Sequence, residues 1–254
     1  MFTFAVPNTW TDGAYTWSAP GQRSAAHVLM DGASSDAAAS ARTAYAFGRH
    51  LKIFHTSAVT ADSAYAAPRF PTRLATWIHT ASGPRAAPAF HTILRHGLGT
   101  RRWSKLTDYT CEATTGSGDL AHVIGWATLG SLIITDAPEA APHAVMLCGP
   151  EGTLAASEID LGCALGELHE ITESLTTRAM ATEPVTAWRD ALLKGYGTPG
   201  DVAKTARAAV VRVAAHAHDF AAYVGFHTEL NTYVGMIADL LDNEGTQTMP
   251  EETR

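Results

Sequence analysis

The chain has 254 residues, 46% of them hydrophobic and 17% charged, with a formal net charge of −7. That length and composition provide enough apolar chain for a core and exclude a disordered polymer. No apolar run approaches the 18 or so residues of a membrane span. The first residues, Met1-Phe2-Thr3-Phe4-Ala5-Val6-Pro7, lack the basic and long apolar regions of a signal peptide. The three cysteines, Cys111, Cys148 and Cys163, contain no C-x-x-C pair, which excludes a disulfide scaffold and fits a reducing, cytoplasmic setting.

In chain order, Phe2–Val6 alternates like a strand, and Asp12-Gly13 signals a turn. Ala25–Met30 is a short apolar run that reads as a buried strand. Asp36–His55 is Ala-rich and helix-prone, with Ser34 or Ser35 available as N-cap. Residues 57–90 carry Pro68, Pro71, Pro84 and Pro88, which permit no long element, with one short helix over Thr72–Thr80. Thr114–Asp119 is a loop. His122–Thr128, Ser131–Thr135 and Ala144–Cys148 are apolar, β-branched runs parted by Gly or Pro, and they read as strands of a meander or hairpin pair.

After Gly152 the pattern turns helical. Glu158–Met180 spaces Leu161, Leu165, Leu168, Thr172 and Leu175 at helical intervals. Pro184–Tyr196 is a second helix. Thr198-Pro199 suggests an N-cap and first helical residue for a third, running to about Val224. Thr228–Leu241 is a fourth, and Gly245 onward is a polar tail. The expected fold is α+β: a mixed N-terminal half with a small, mostly antiparallel sheet and a helical C-terminal half. Residues 1–245 are expected to form one domain, with a subdivision near residue 152 left open, followed by a flexible tail over 246–254.

Charge is distributed unevenly. Up to Thr110 there are 11 Lys and Arg against 5 Asp and Glu; from Cys111 onward there are 7 against 20. Between Asp62 and Asp108 there is no acidic residue, yet Arg69, Arg73, Arg85, Arg95, Arg101, Arg102 and Lys105 occur, interleaved with Phe70, Trp77, Phe90 and Trp103. Basic residues neutralise phosphates and aromatics stack on bases. Arg69, Arg73, Arg95, Arg101 and Arg102 are therefore candidate contacts to a phosphate-bearing small molecule or a nucleic acid. The same stretch can instead dock on the acidic half of the chain, within one molecule or between subunits of a homo-oligomer.

Two segments suggest metal chemistry. On the third helix, His216-x-His218-Asp219 combines imidazoles and a carboxylate, the usual ligands of a divalent metal and the usual groups for proton transfer near neutral pH. On the first helix of this half, His169 and Glu173 lie four apart on one face, with Glu170 beside them. His169, Glu173 and His216 are candidate metal ligands, and His216, His218 and Asp219 candidate catalytic groups; His216 also lies on an apolar stripe, as a core histidine would. Separately, His27–His50 places Asp31-Gly32 between an apolar run and an Ala-rich helix. Over these roughly 25 residues the segment resembles the strand–Asp-Gly–helix stretch of the metal-dependent Ser/Thr phosphatases, which implies Asp31 as a metal ligand. The rest of the chain departs from that family's pattern, with no second Asp-Gly after a later strand, and a plain turn accounts for Asp31 equally.

Other motifs are weaker. Thr114-Thr115-Gly116-Ser117-Gly118-Asp119 offers backbone amides to a phosphate but lacks the Lys of a P-loop. Cys111 follows the basic stretch, although Glu112 opposes activation of its thiol. The leading expectation is a metal-assisted hydrolase acting on a phosphate-bearing substrate. The alternatives are a non-catalytic nucleic-acid-binding protein and an assembly protein whose basic and acidic halves pair between subunits.

Overall fold

The computed structural model describes residues 2–11, 14–19, 21–32, 37–59, 66–115, 119–135 and 144–251. The alternation of Phe2-Thr3-Phe4-Ala5 forms β1 (Phe2–Ala5), which buries Phe2. β2 (Thr9–Thr11) and β3 (Ala14–Thr16) pair antiparallel in the register Thr9↔Thr16 and Thr11↔Ala14. The Asp12-Gly13 signal between them lies outside the described residues, as do Ser34 and Ser35. The short β4 (Arg23–Ser24) leads into α1 (Ala25–Met30).

The strand expected over Ala25–Met30 is therefore a helix. Ser24 caps it, its hydroxyl accepting from the His27 amide at 3.2 Å, and His27 pairs with Asp31 at 3.0 Å one turn on. A side-chain cap and an i,i+4 pair favour a helical turn over a strand in a run without alternation. Asp31 thus follows a helix, and the strand context that suggested a phosphatase-like metal ligand is absent.

α2 (Ala37–His55) and α3 (Arg69–Thr80) match the expected helices closely. α4 (Ala87–Thr114) is an element the sequence reading did not assign. It breaks at Gly99, whose φ of 66° and ψ of 175° are non-helical. Phe70, Trp77 and Phe90, considered above for stacking on bases, are at most 1% exposed and belong to the core of α3 and α4.

β6 (Leu132–Ile134) and β7 (Ala144–Leu147) fall within the second and third expected strands, whereas β5 (Ala121–Val123) shares only His122 and Val123 with the first, and Ile124–Thr128 is not strand. They do not form one meander. β6 and β7 join β1 and β4 in a four-stranded sheet of order β1-β7-β6-β4, in which β1 runs parallel to β7 and the other pairs are antiparallel. β5 pairs instead with β8 (Thr153–Ala155).

α5 (Glu158–Thr177), α6 (Glu183–Tyr196), α7 (Val202–Asp219) and α8 (Glu229–Asp242) complete the helical half. α7 starts at Val202, with the Asp201 carboxylate accepting from the Lys204 amide at 2.8 Å, so Asp201 takes the capping role expected of Thr198. Its last turn relaxes into a π-turn over Phe220–Val224. Beyond α8, Thr246–Thr248 forms a 3-10 turn, and Met249 is 1% exposed. The segment read as a polar tail thus packs its first residues against the protein. The fold is α+β, with a small mixed sheet in the N-terminal half and helices in the C-terminal half.

Small residues set the helix spacing. A Cβ on Gly48 of α2 would meet the Leu192 carbonyl oxygen of α6 at 2.0 Å, and one on Gly195 of α6 would meet that of Tyr45 at 2.1 Å. On α5, Gly162 and Gly166 allow the same close approach to Ala208 and Ala209 of α7. α7 buries most of its residues, including Ala206, Ala209, Val210, Val211 and Val213, as a helix packed on several sides must. Ala208, Val211 and Val213 join the core of α3, α4 and α8, while Ala206 and Ala209 join the core of the sheet, α2, α5 and α6.

Candidate functional site

α5 carries three buried carboxylates, Asp160, Glu167 and Glu170. Burial of a charge requires partners. Asp160 accepts from the amides of Ile124 at 2.6 Å and Gly125 at 2.8 Å. Two helical turns on, Glu167 accepts in the same way from the amides of Leu129 and Gly130. The two side chains therefore clamp the 124–130 connection onto α5. Burial pushes the Glu167 carboxyl above the usual range, against the pull of Arg212.

Glu170 serves a different purpose. Its Oε2 accepts from Arg212 Nη1 at 3.0 Å, and its Oε1 lies 2.9 Å from His216 Nδ1. Burial alone would raise the Glu170 carboxyl, but Arg212 and His216 outweigh it and hold the group below its ordinary value. An ionised carboxylate only accepts hydrogen bonds. His216 therefore donates from Nδ1 and keeps the lone pair of its neutral form on Nε2. The His216 side chain is 40% exposed, against 7% for Glu170. Nε2 has no hydrogen-bond partner among the described residues. The Tyr233 hydroxyl of α8 lies 3.2 Å from Nδ1, and burial pushes its ionisation well up, so it stays protonated. Beneath the pair, Arg212 lies 4.8 Å from the centre of the Trp126 ring.

His218 and Asp219 form a second pair, 2.9 Å apart. Two residues on an α-helix differ by about 200°, so His218 points away from His216, with its ring 5.0 Å from that of Trp77. Asp219 also accepts from Arg73 at 3.0 Å, and Arg73 reaches Glu151 at 2.8 Å. Burial works to raise the Asp219 carboxyl, but bonds from His218 and Arg73 leave it lowered. A third pair, His55 Nε2 with Asp160 at 3.1 Å, is sealed; His55 Nδ1 meets the Tyr196 hydroxyl at 2.9 Å, and the His55 side chain is 2% exposed.

The expected residues are thus only partly brought together. The catalytic trio divides: His216 joins Glu170, while His218 and Asp219 face α3. The metal trio of His169, Glu173 and His216 does not assemble, and among the described residues no three His, Cys, Asp or Glu side chains form a group suited to a metal ion. The reason is geometric. His169 lies about 100° around α5 from Glu170, and Glu170 already engages His216. Burial lowers the His169 pKa.

The arginines divide as well. Arg73 is held by two acids, and Arg102 makes a two-bond pair with Asp242 at 2.9 and 2.6 Å. Lys105 contacts Glu244 at 3.2 Å. Arg95 lies over Trp103 at 5.9 Å. Arg69 and Arg101 are exposed. A surface depression of about 250 Å³ at the α4 break is lined by Leu98, Gly99, Thr100, Arg101, Arg102 and Asp242, so an acid already answers the arginines there. Much of the basic stretch docks on the acidic half of the same chain.

The sequence reading missed Arg212 as the partner of Glu170 and Tyr233 as a partner of His216, and Asp160, His55 and Tyr196 entirely. One signal was present: Arg212 is the lone charge in the apolar run Ala208–Ala215, and a charge in such a run needs a buried partner.

Compared with known proteins, the chain matches no family model and no curated relative. Fold and site together define a helix-rich α+β protein with a solvent-reaching imidazole, His216, oriented by a buried carboxylate. No described helix is long and apolar enough to cross a membrane.

Proposed function

We propose that the protein is a hydrolase-type enzyme in which His216 acts as general base. The observation that carries this reading is the half-exposed imidazole whose Nδ1 faces the buried, ionised carboxylate of Glu170. A carboxylate on Nδ1 fixes the tautomer and stabilises the imidazolium formed when Nε2 takes a proton from water or a hydroxyl. Such a group contributes roughly 10²- to 10⁴-fold to a rate. Glu170 orients the imidazole and Arg212 keeps Glu170 ionised. The test is a turnover screen of phosphate, carboxylate and amide esters with the wild-type protein and His216→Gln. Turnover that the variant loses supports the reading. Turnover retained in full by His216→Gln overturns it, as does its absence across the whole panel.

A second reading, assembly into homo-oligomers, draws on a different observation. Tyr223, Val224 and Phe226 are each more than half exposed at the π-turn. The turn is pinned by the Ala86 amide on Ala221 O at 3.1 Å and by Arg85 Nη1 on Val224 O at 3.0 Å. Rigid exposed apolar side chains favour association. Light scattering across a concentration series, with Phe226→Ser as control, decides it: a mass that stays monomeric throughout removes this reading.

A further inference from the structure

We infer that the substrate presented to His216 is uncharged or cationic where it meets the imidazole, and is not a phosphate. This rests on the reading of His216 as general base and names the substrate class of that site. The argument is electrostatic. α5 and α8, which supply the partners of His216, contain no Lys or Arg over Glu158–Thr177 and Glu229–Asp242, and after Arg212 the next cation of the chain is Arg254.

Carboxylates act on the residues beside the His216–Glu170 pair. Glu229 acts on Tyr233, while Glu173, Glu170 and Asp239 act on His169. Glu229 is 70% exposed, with His227 at 3.6 Å. The single cation at the site, Arg212, is 3% exposed and shared between Glu170 at 3.0 Å and Glu167 at 4.0 Å. With both carboxylates charged, that inner cluster has no positive charge to spare. An approaching phosphate would find no free cation on α5 or α8 and would meet the net negative charge of the inner cluster, whereas one sign of charge around a site concentrates ligands of the opposite sign.

Two of the arginines that suggested a phosphate are held by acids away from His216. Arg73 pairs with Asp219 and Glu151 on the opposite face of α7, and Arg102 pairs with Asp242 at the far end of α8. Tyr233 and Asp242 are nine residues apart, about 13 Å along the helix.

Alkylation of His216 tests the inference without knowledge of the natural substrate. The Nε2 lone pair displaces bromide from bromoacetamide, which is neutral, or from bromoacetate, which is anionic; each reaction forms one N–C bond and releases one bromide. Rates at His216 are read by peptide mass spectrometry and normalised to N-acetylhistidine. At low ionic strength the normalised rate with bromoacetamide should exceed that with bromoacetate by roughly 3- to 10-fold. The ratio should approach one in 1 M salt, and Glu229→Gln with Asp239→Asn should lower it. Inorganic phosphate should not protect the imidazole. A ratio of one at low salt, a ratio the double variant leaves unchanged, or protection by phosphate overturns the inference while leaving His216 accessible as a base. Failure of bromoacetamide to alkylate His216 overturns the general-base reading, and the inference with it.

Discussion

The pairs His55–Asp160 and His216–Glu170 use the same two chemical groups at nearly the same separation, and they differ in what surrounds them. At His55 both ring nitrogens are occupied, by Tyr196 and Asp160, and the side chain is sealed. At His216 only Nδ1 is occupied, and the ring reaches solvent. An imidazole with both nitrogens satisfied has nothing left to offer a substrate. The first pair therefore contributes to stability and the second is free for chemistry, and the two assignments are separable by mutation.

The largest effect is expected at the sealed pair. Asp160→Ala leaves two buried amides and His55 without their acceptor, and should cost roughly 3–9 kcal/mol, at about 1–3 for each unsatisfied group. Urea denaturation reads this directly, and a loss below 1 kcal/mol would mean the 124–125 amides find water. Next, Arg212→Met leaves Glu167 and Glu170 buried without their cation, at a cost of about 3–5 kcal/mol. Adding Glu170→Gln should recover part of that loss; if the double variant is less stable than the single, the charge argument fails. Gly162→Ala forces a methyl into Ala208 across the α5–α7 contact, with an expected cost of about 1–3 kcal/mol from overpacking.

Acid sharpens the comparison further. Burial lowers the folded pKa of His169, so below about pH 6.5 the unfolded chain takes up the proton first, and stability falls as pH drops toward the folded value. Glu170 and Asp219 are held low despite burial, by Arg212 and His216 and by His218 and Arg73 respectively. Their contribution is present above about pH 4 and is lost as pH falls through their folded values. Glu167, raised by burial, opposes this trend. His169→Gln should therefore flatten the urea midpoint between pH 7 and 5 and leave the steeper loss below pH 4. An unchanged upper limb would show that His169 is not its source. The smallest effect on stability, within about 0.5 kcal/mol, is expected for His216→Gln, since Glu170 keeps Arg212. A large stability loss there would make His216 a structural group like His55.

The helices of the C-terminal half were legible because their leucines keep helical spacing and their ends carry Gly or Pro. α4 was not, because Gly97 and Gly99 interrupt its pattern and the cations of that region suggested a ligand surface. Ala25–Met30 misled because a six-residue apolar run carries no period; Ser24 and Asp31 decided it. At the candidate site, spacing singled out His216 and His169, but the sequence holds no record of rotation between helices. That rotation sends His218 toward Trp77 and brings Glu170 to His216 ahead of His169 and Glu173. The strand pairings were equally hidden, since β5 and β8 meet across residues 124–152, a connection that includes β6 and β7 and that local pattern does not span.

α7 contributes side chains to both apolar clusters, the one under α3, α4 and α8 and the one under the sheet. Neither cluster can dissolve while this helix stays in place, and neither can persist once it leaves. The two halves of the chain should therefore melt in one cooperative transition, and the amides of α7 should be the slowest in the molecule to exchange with deuterated water.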